Sequence, residues 1–161
     1  MKTFTDAAGR TWTLSLTLGS AMDVKDKLGV DLLQIEAGDP PLITRLGTDE
    51  MLLGQVICAL IEDQFEAHHA TAKDVVKAFD GKTLAAVQSA FYAELIDFFR
   101  QRGRADRATA VDKQQRMIEA AIRAVGLRLE AVDVDETIRT AMGRGAMSGS
   151  SPESLESTPG R

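Results

Sequence analysis

Cysteine occurs once, as Cys58, so no internal disulfide can form and the fold must hold by packing alone. Histidine occurs twice, at the adjacent positions His68 and His69, which limits any histidine-based metal site to one stretch of chain. Proline is confined to the pair Pro40-Pro41 and to Pro152 and Pro159, leaving long segments free to be helical. The longest apolar run is only a few residues, far short of the roughly twenty that a membrane-spanning helix needs. The opening MKTFTDAAGR has no apolar stretch of the kind a secretory signal carries, so a cytoplasmic, soluble protein is expected. Basic charge is not in excess either. At a net charge of −5, general affinity for nucleic acid or an anionic membrane is not expected.

What is present is apolar mass, 44% of 161 residues, enough for one ordinary domain burying roughly two thirds of the surface its unfolded chain exposes. Trp12, Leu14, Leu16 and Leu18 alternate with Thr11, Thr13, Ser15 and Thr17, the period of a half-buried strand. With Asp6 to Gly9 as a turn and Phe4 on a partner strand, the N-terminus reads as a β-hairpin. Ser20 with Asp23 reads as the start of a short helix that Gly29 stops. The stretch VDLLQIEAGDPP, Val30 to Pro41, reads as a third short strand or an extended loop.

After Pro41 the apolar spacing becomes helical. Asp49 or Thr48 caps a segment through Met51, Leu52, Val56, Leu60 and Phe65, and Thr71 with Asp74 opens a short helix ending at Gly81. Thr83 reads as the cap of LAAVQSAFYAELIDFFRQR, which holds much of the aromatic mass. From about Ala105 to Met142 the spacing is again helical, with a break expected near Gly126 or Asp133. The fold expected is α+β and predominantly α, a hairpin packed on four to five helices. Residues 1–143 are expected to form one folded domain, with 1–39 the hairpin and short helix and 40–143 helical. Residues 144–161 read as a Ser/Gly/Pro tail or linker, too poor in apolar residues to offset the entropy of ordering.

Catalytic chemistry is sparse. Glu62, Glu66 and His69 would share a face if their helix continued, as in carboxylate-bridged di-iron bundles, but such a site needs a second E-x-x-H and none exists. Cys58 stands among Val56, Ile57, Ala59 and Leu60, a setting that raises a thiol pKa and suits a buried hydrophobe better than a nucleophile. Phosphate-cradling glycine motifs and a G-x-S-x-G elbow are lacking. The arginines of RQRGRADR, Arg100, Arg102, Arg104 and Arg107, read as a solvated junction between helices rather than a phosphate site. No enzymatic role, cofactor or metal is expected. The remaining signal is an apolar stripe with Val111, Ile118, Val125 and Val132 seven apart and Ile122 and Leu129 beside them. It either completes the core or meets a partner, another copy or a long helical client.

The segments FTDAAGRTWTLSLTLGSAMDVKDKLGVDLL and LLGQVICALIEDQFEAHHATAKDVVKAF, with the ending SGSSPESLESTP, resemble the tail assembly chaperones of bacteriophage and prophage tail-gene clusters. The resemblance spans nearly the whole chain and rests on F-T-D-x-x-G-R-x-W and an order of elements. It implies a non-enzymatic factor in the host cytoplasm that coats the helical tape measure protein, keeps it soluble, and is displaced as tail tube subunits polymerise. It also implies a short form whose tail links to an extension made by translational frameshifting. It nominates a surface rather than particular residues, and on the apolar stripe the candidate partner-binding residues are Val111, Ile118, Ile122, Val125 and Leu129. A structural tail or connector component of the virion is the alternative role, and a small nucleic-acid-binding regulator using the arginine cluster a more distant one.

Overall fold

In the computed structural model, which describes residues 1–146, the chain is an α+β fold dominated by helices, seven of them following one antiparallel hairpin. It divides into two units, Met1–Ala120 and the residues from Ala121 onward. The boundary falls inside a long helix, within the stretch 1–143 expected to be one domain. Arg144 to Ala146, expected in the tail, belong to the last helix; the rest of the expected tail, residues 147–161, lies outside the described residues.

Strands β1 (Lys2–Thr5) and β2 (Thr11–Leu14) pair with Phe4 opposite Trp12. Alternation puts Phe4, Trp12 and Leu14 inside and the threonines outside. The turn between them is organised by Asp6, a buried carboxylate. It accepts the backbone N–H groups of Ala8 at 2.9 Å and Arg10 at 3.0 Å, the Arg10 Nε at 2.7 Å and the Trp12 indole N–H at 2.9 Å. Gly9, at φ 77°, takes the left-handed conformation the turn requires. Each residue of the D-x-x-G-R-x-W pattern therefore has a structural task. Burial alone would push the Asp6 carboxyl up, but hydrogen bonds from Trp12 and Arg10 outweigh it and hold the group below the usual carboxylate range.

The outer edge of β2 is closed by a side chain. The Gln64 amide donates to the Thr13 carbonyl at 2.8 Å and accepts the Thr13 N–H at 2.9 Å, imitating a neighbouring strand. β2 ends at Leu14, short of the alternation expected as far as Leu18: Leu16 is still buried, its N–H given to the Glu94 carboxylate at 2.9 Å, but Leu18 is exposed and opens the next helix, where the period of two no longer applies.

Helix α1 (Leu18–Leu28) starts earlier than Ser20, the cap that the sequence suggests. Thr17 is the cap and Ser20 answers it from the third helical position, a reciprocal pair; Gly29 ends the helix at φ 67°. Residues 30–41 form a loop, not a third strand: they bury Val30, Leu32 and Ile35 through turns, without a strand partner. Helices α2 (Leu42–Thr48) and α3 (Glu50–Leu60) meet at Asp49, which ends the first and caps the second by accepting the Leu52 N–H at 2.9 Å.

Helix α4 (Ala72–Lys77) opens with the expected Thr71–Asp74 capping box. Helix α5 (Gly81–Gln101) is capped by Asp80 rather than Thr83, because the Asp80 carboxylate takes the Thr83 N–H at 2.7 Å while Thr83 itself is buried. Gly81 accordingly begins this helix instead of ending the one before. α5 is the centre of the first unit: Val87, Phe91, Tyr92, Leu95 and Phe99 are buried along it, and β1 packs across it. Helix α6 (Ala105–Glu130) comes after a turn at Gly103, and α7 (Val134–Ala146) closes the described chain. The break between them falls at Ala131–Asp133, one of the two places expected, and α6 passes through Gly126 uninterrupted.

Candidate partner-binding surface

The stripe nominated from the sequence changes character along α6. Ala108 and Val111 are core residues of the first unit, Val111 with no exposed surface at all. Val111 is thereby removed from the candidate partner-binding set: its side chain is already spent on the core against which α6 begins. Ile118 is half-buried and packs on the same cluster. Its seat is Gly47 in α2, where an added Cβ would lie 2.0 Å from Ile118 Cδ1 and 2.7 Å from the Tyr92 hydroxyl oxygen. That hydroxyl donates to the Ile43 carbonyl at 2.9 Å, and burial pushes its pKa up to about 12.

The other three nominated residues are open to solvent. Ile122, Val125 and Leu129 are 65%, 54% and 67% exposed, so the spacing that fills the core in the first turns of α6 leads to bare apolar side chains in the last. Asp133 caps the next helix by accepting the Glu136 N–H at 3.1 Å. Along that helix Val134, Ile138 and Met142, at spacings of four, are exposed as well. Sequence reasoning misses this second face. The spacing of four is visible in the residues, but only the break at Ala131–Asp133 makes the segment a helix with its own apolar side.

The other candidates fall into structural roles. The helix that would have aligned Glu62, Glu66 and His69 ends at Leu60; Glu62 lies in a short 3-10 turn and pairs with Lys27. His68 lies against Trp12 with ring centroids 4.4 Å apart and the rings tilted by 54°, and His69 sits at φ 48°. Among the described residues no group of three or more histidine, cysteine or acidic side chains is placed to hold a metal ion.

Cys58 is half-buried in a pocket of about 440 Å³ together with Met51, Gly54, Val76, Phe79 and Leu84, and burial pushes its thiol up, away from the reactive thiolate. Of the four clustered arginines, Arg107 pairs with Glu36 at 2.8 Å, donates to the Leu33 carbonyl and lies over the Phe99 ring. Arg104 pairs with Asp106 at 2.5 Å, and its hydrogen bond holds the Asp106 carboxyl well below the usual range. Two of the four charges are therefore engaged within the chain, which weakens the cluster as a phosphate patch.

The fold and its surface define a mainly helical α+β protein with a structured first unit and apolar faces left open on α6 and α7. Comparison with protein-family models, with curated proteins and with solved structures finds no match. Among the described residues no helix is long and apolar enough to cross a membrane.

Proposed function

We propose that the chain is a non-enzymatic tail assembly chaperone that binds a tape measure protein during phage tail assembly. The observation that carries this reading is the open apolar face at Ile122, Val125 and Leu129, with Val134, Ile138 and Met142 exposed on the next helix. Large apolar side chains repeated along one face of a helix and left exposed mark a candidate interaction surface. A long helical client offers the complementary stripe, and many modest contacts in series hold it while leaving it displaceable by tail tube subunits. The resemblance of the N-terminal F-T-D-x-x-G-R-x-W segment to this family supports the same reading.

Co-expression with a helical tape measure fragment tests it. The fragment should become soluble and co-purify, and Leu129→Glu should lower its recovery at least about tenfold while Trp12 fluorescence stays that of the folded first unit. A fragment that remains insoluble and unbound at equimolar expression would remove the chaperone reading.

A further inference from the structure

The last turns of α6 carry a seam with one regular spacing: Ile122, Val125 and Leu129 lie three and four residues apart, the pattern that seats one helix against another, and exposed Val132 follows in the link after the helix. Nearer the start of the same helix, at Ala108 and Val111, the apolar side is buried by the chain's own core. From Ile122 on, these side chains are left exposed among the described residues, and the α7 face is equally bare. We propose that this face is covered by a second copy of the chain, in a dimer joined through α6 and α7 that a client must displace. The client part of this statement rests on the chaperone reading; the dimer does not.

Two observations select a second copy as the occupant. The first is area. A large aliphatic side chain offers roughly 60 to 120 Å² to bury, so the exposed faces of α6 and α7 together supply about 500 Å² of apolar surface per copy. With the polar atoms that flank any interface, a symmetric pair reaches the roughly 1,200 Å² at which specific dimers begin. The second is charge. Ala121 to Ala146 contain four arginines and four carboxylates, a balance of zero, whereas the chain as a whole is at −5. Two copies of this segment do not repel each other, and each offers both signs to the other. Glycine at 126, with no neighbouring atom within 4 Å of an added Cβ, leaves the flank of the seam open to close approach.

Sedimentation equilibrium of the full chain without any client is the test. Wild type should shift from monomer to dimer with rising concentration. Val125→Glu and Ile138→Glu should each raise the dissociation constant about a hundredfold, since a charge would be buried in the seam. Leu127→Glu is the control. Leu127 is also exposed, but the helical repeat sets it on the opposite side of α6 from the seam, so this variant should dimerise as wild type does. Unchanged Trp12 fluorescence in all three variants shows that the first unit is folded. A wild-type chain that stays monomeric up to about millimolar concentration, the weak limit of specific association, overturns the dimer. So does a Leu127→Glu variant that dissociates as readily as Val125→Glu. Neither result bears on client solubility, which is read separately in co-expression.

Discussion

Asp6 shows how much a single side chain can organise. Its two carboxylate oxygens collect four donors, so the hairpin turn, the Arg10 side chain and the buried Trp12 indole are tied to one charge. Removing it leaves those donors unsatisfied in a buried setting. Asp6→Ala should therefore cost about 3 kcal/mol in a denaturant titration followed by Trp12 fluorescence. The pH dependence has a definite sign. The folded carboxyl is held below its ordinary value of 3.8, so the stabilisation is complete above that value and is lost as pH falls through the folded one. Asp6→Asn should accordingly show a smaller loss of stability than wild type as pH falls from about 4 to about 2. An equal loss in both would mean that Asp6 carries no charge-dependent share.

At the scale of the element, α6 is one helix with two energetic regimes. Val111 has lost all its exposed surface, and truncating it opens a cavity in a core that includes Phe99 and Leu95; Val111→Ala should cost about 2 kcal/mol. Leu129, 67% exposed on the same helix, has no core to leave. Leu129→Ala should change the unfolding free energy of the dilute protein by less than about 0.5 kcal/mol. Urea midpoints for the two variants, read by Trp12 fluorescence, check the contrast. Comparable losses would place Leu129 in a packed interior. The link at Ala131–Asp133 obeys the same local chemistry: the last α6 turn tightens as the Val132 N–H donates to the Leu129 carbonyl at 3.2 Å, and Asp133 caps α7.

For the whole molecule, the division at Ala120 separates a unit with a closed core from one made of helix surface. The large fully buried side chains, from Trp12 to Leu95 and Phe99, all belong to Met1–Ala120. A fragment of residues 1–120 should unfold cooperatively with a Tm within about 3 °C of the full chain, measured by circular dichroism. A fragment that melts without cooperativity would show that the first unit depends on the residues after Ala120. Among the described residues the second unit has helices but no interior, and helices of this length are marginal in water without tertiary cover. Covering that apolar face, as the proposed dimer does, would therefore stabilise it.

Much of this architecture is legible from the residues alone, because it depends on local chemistry. Strand alternation around Trp12, a cap at Asp49 and the Thr71–Asp74 box each involve residues within a few positions of one another, and the structure holds all three. The caps at Thr17 and Asp80, where the sequence points to Ser20 and Thr83, are local too, set by which of two nearby oxygens reaches the free N–H groups. Tertiary structure alone decides the features that depend on distant partners. Gln64 closing the β2 edge, Arg107 binding Glu36 and Leu33, and Gly47 seating Ile118 join residues remote in sequence. The five nominated stripe residues illustrate the difference most directly. Their helical spacing, which sequence determines, continues from Val111 to Leu129; whether a given residue is core or open surface depends on where the first unit ends, and that is a property of packing.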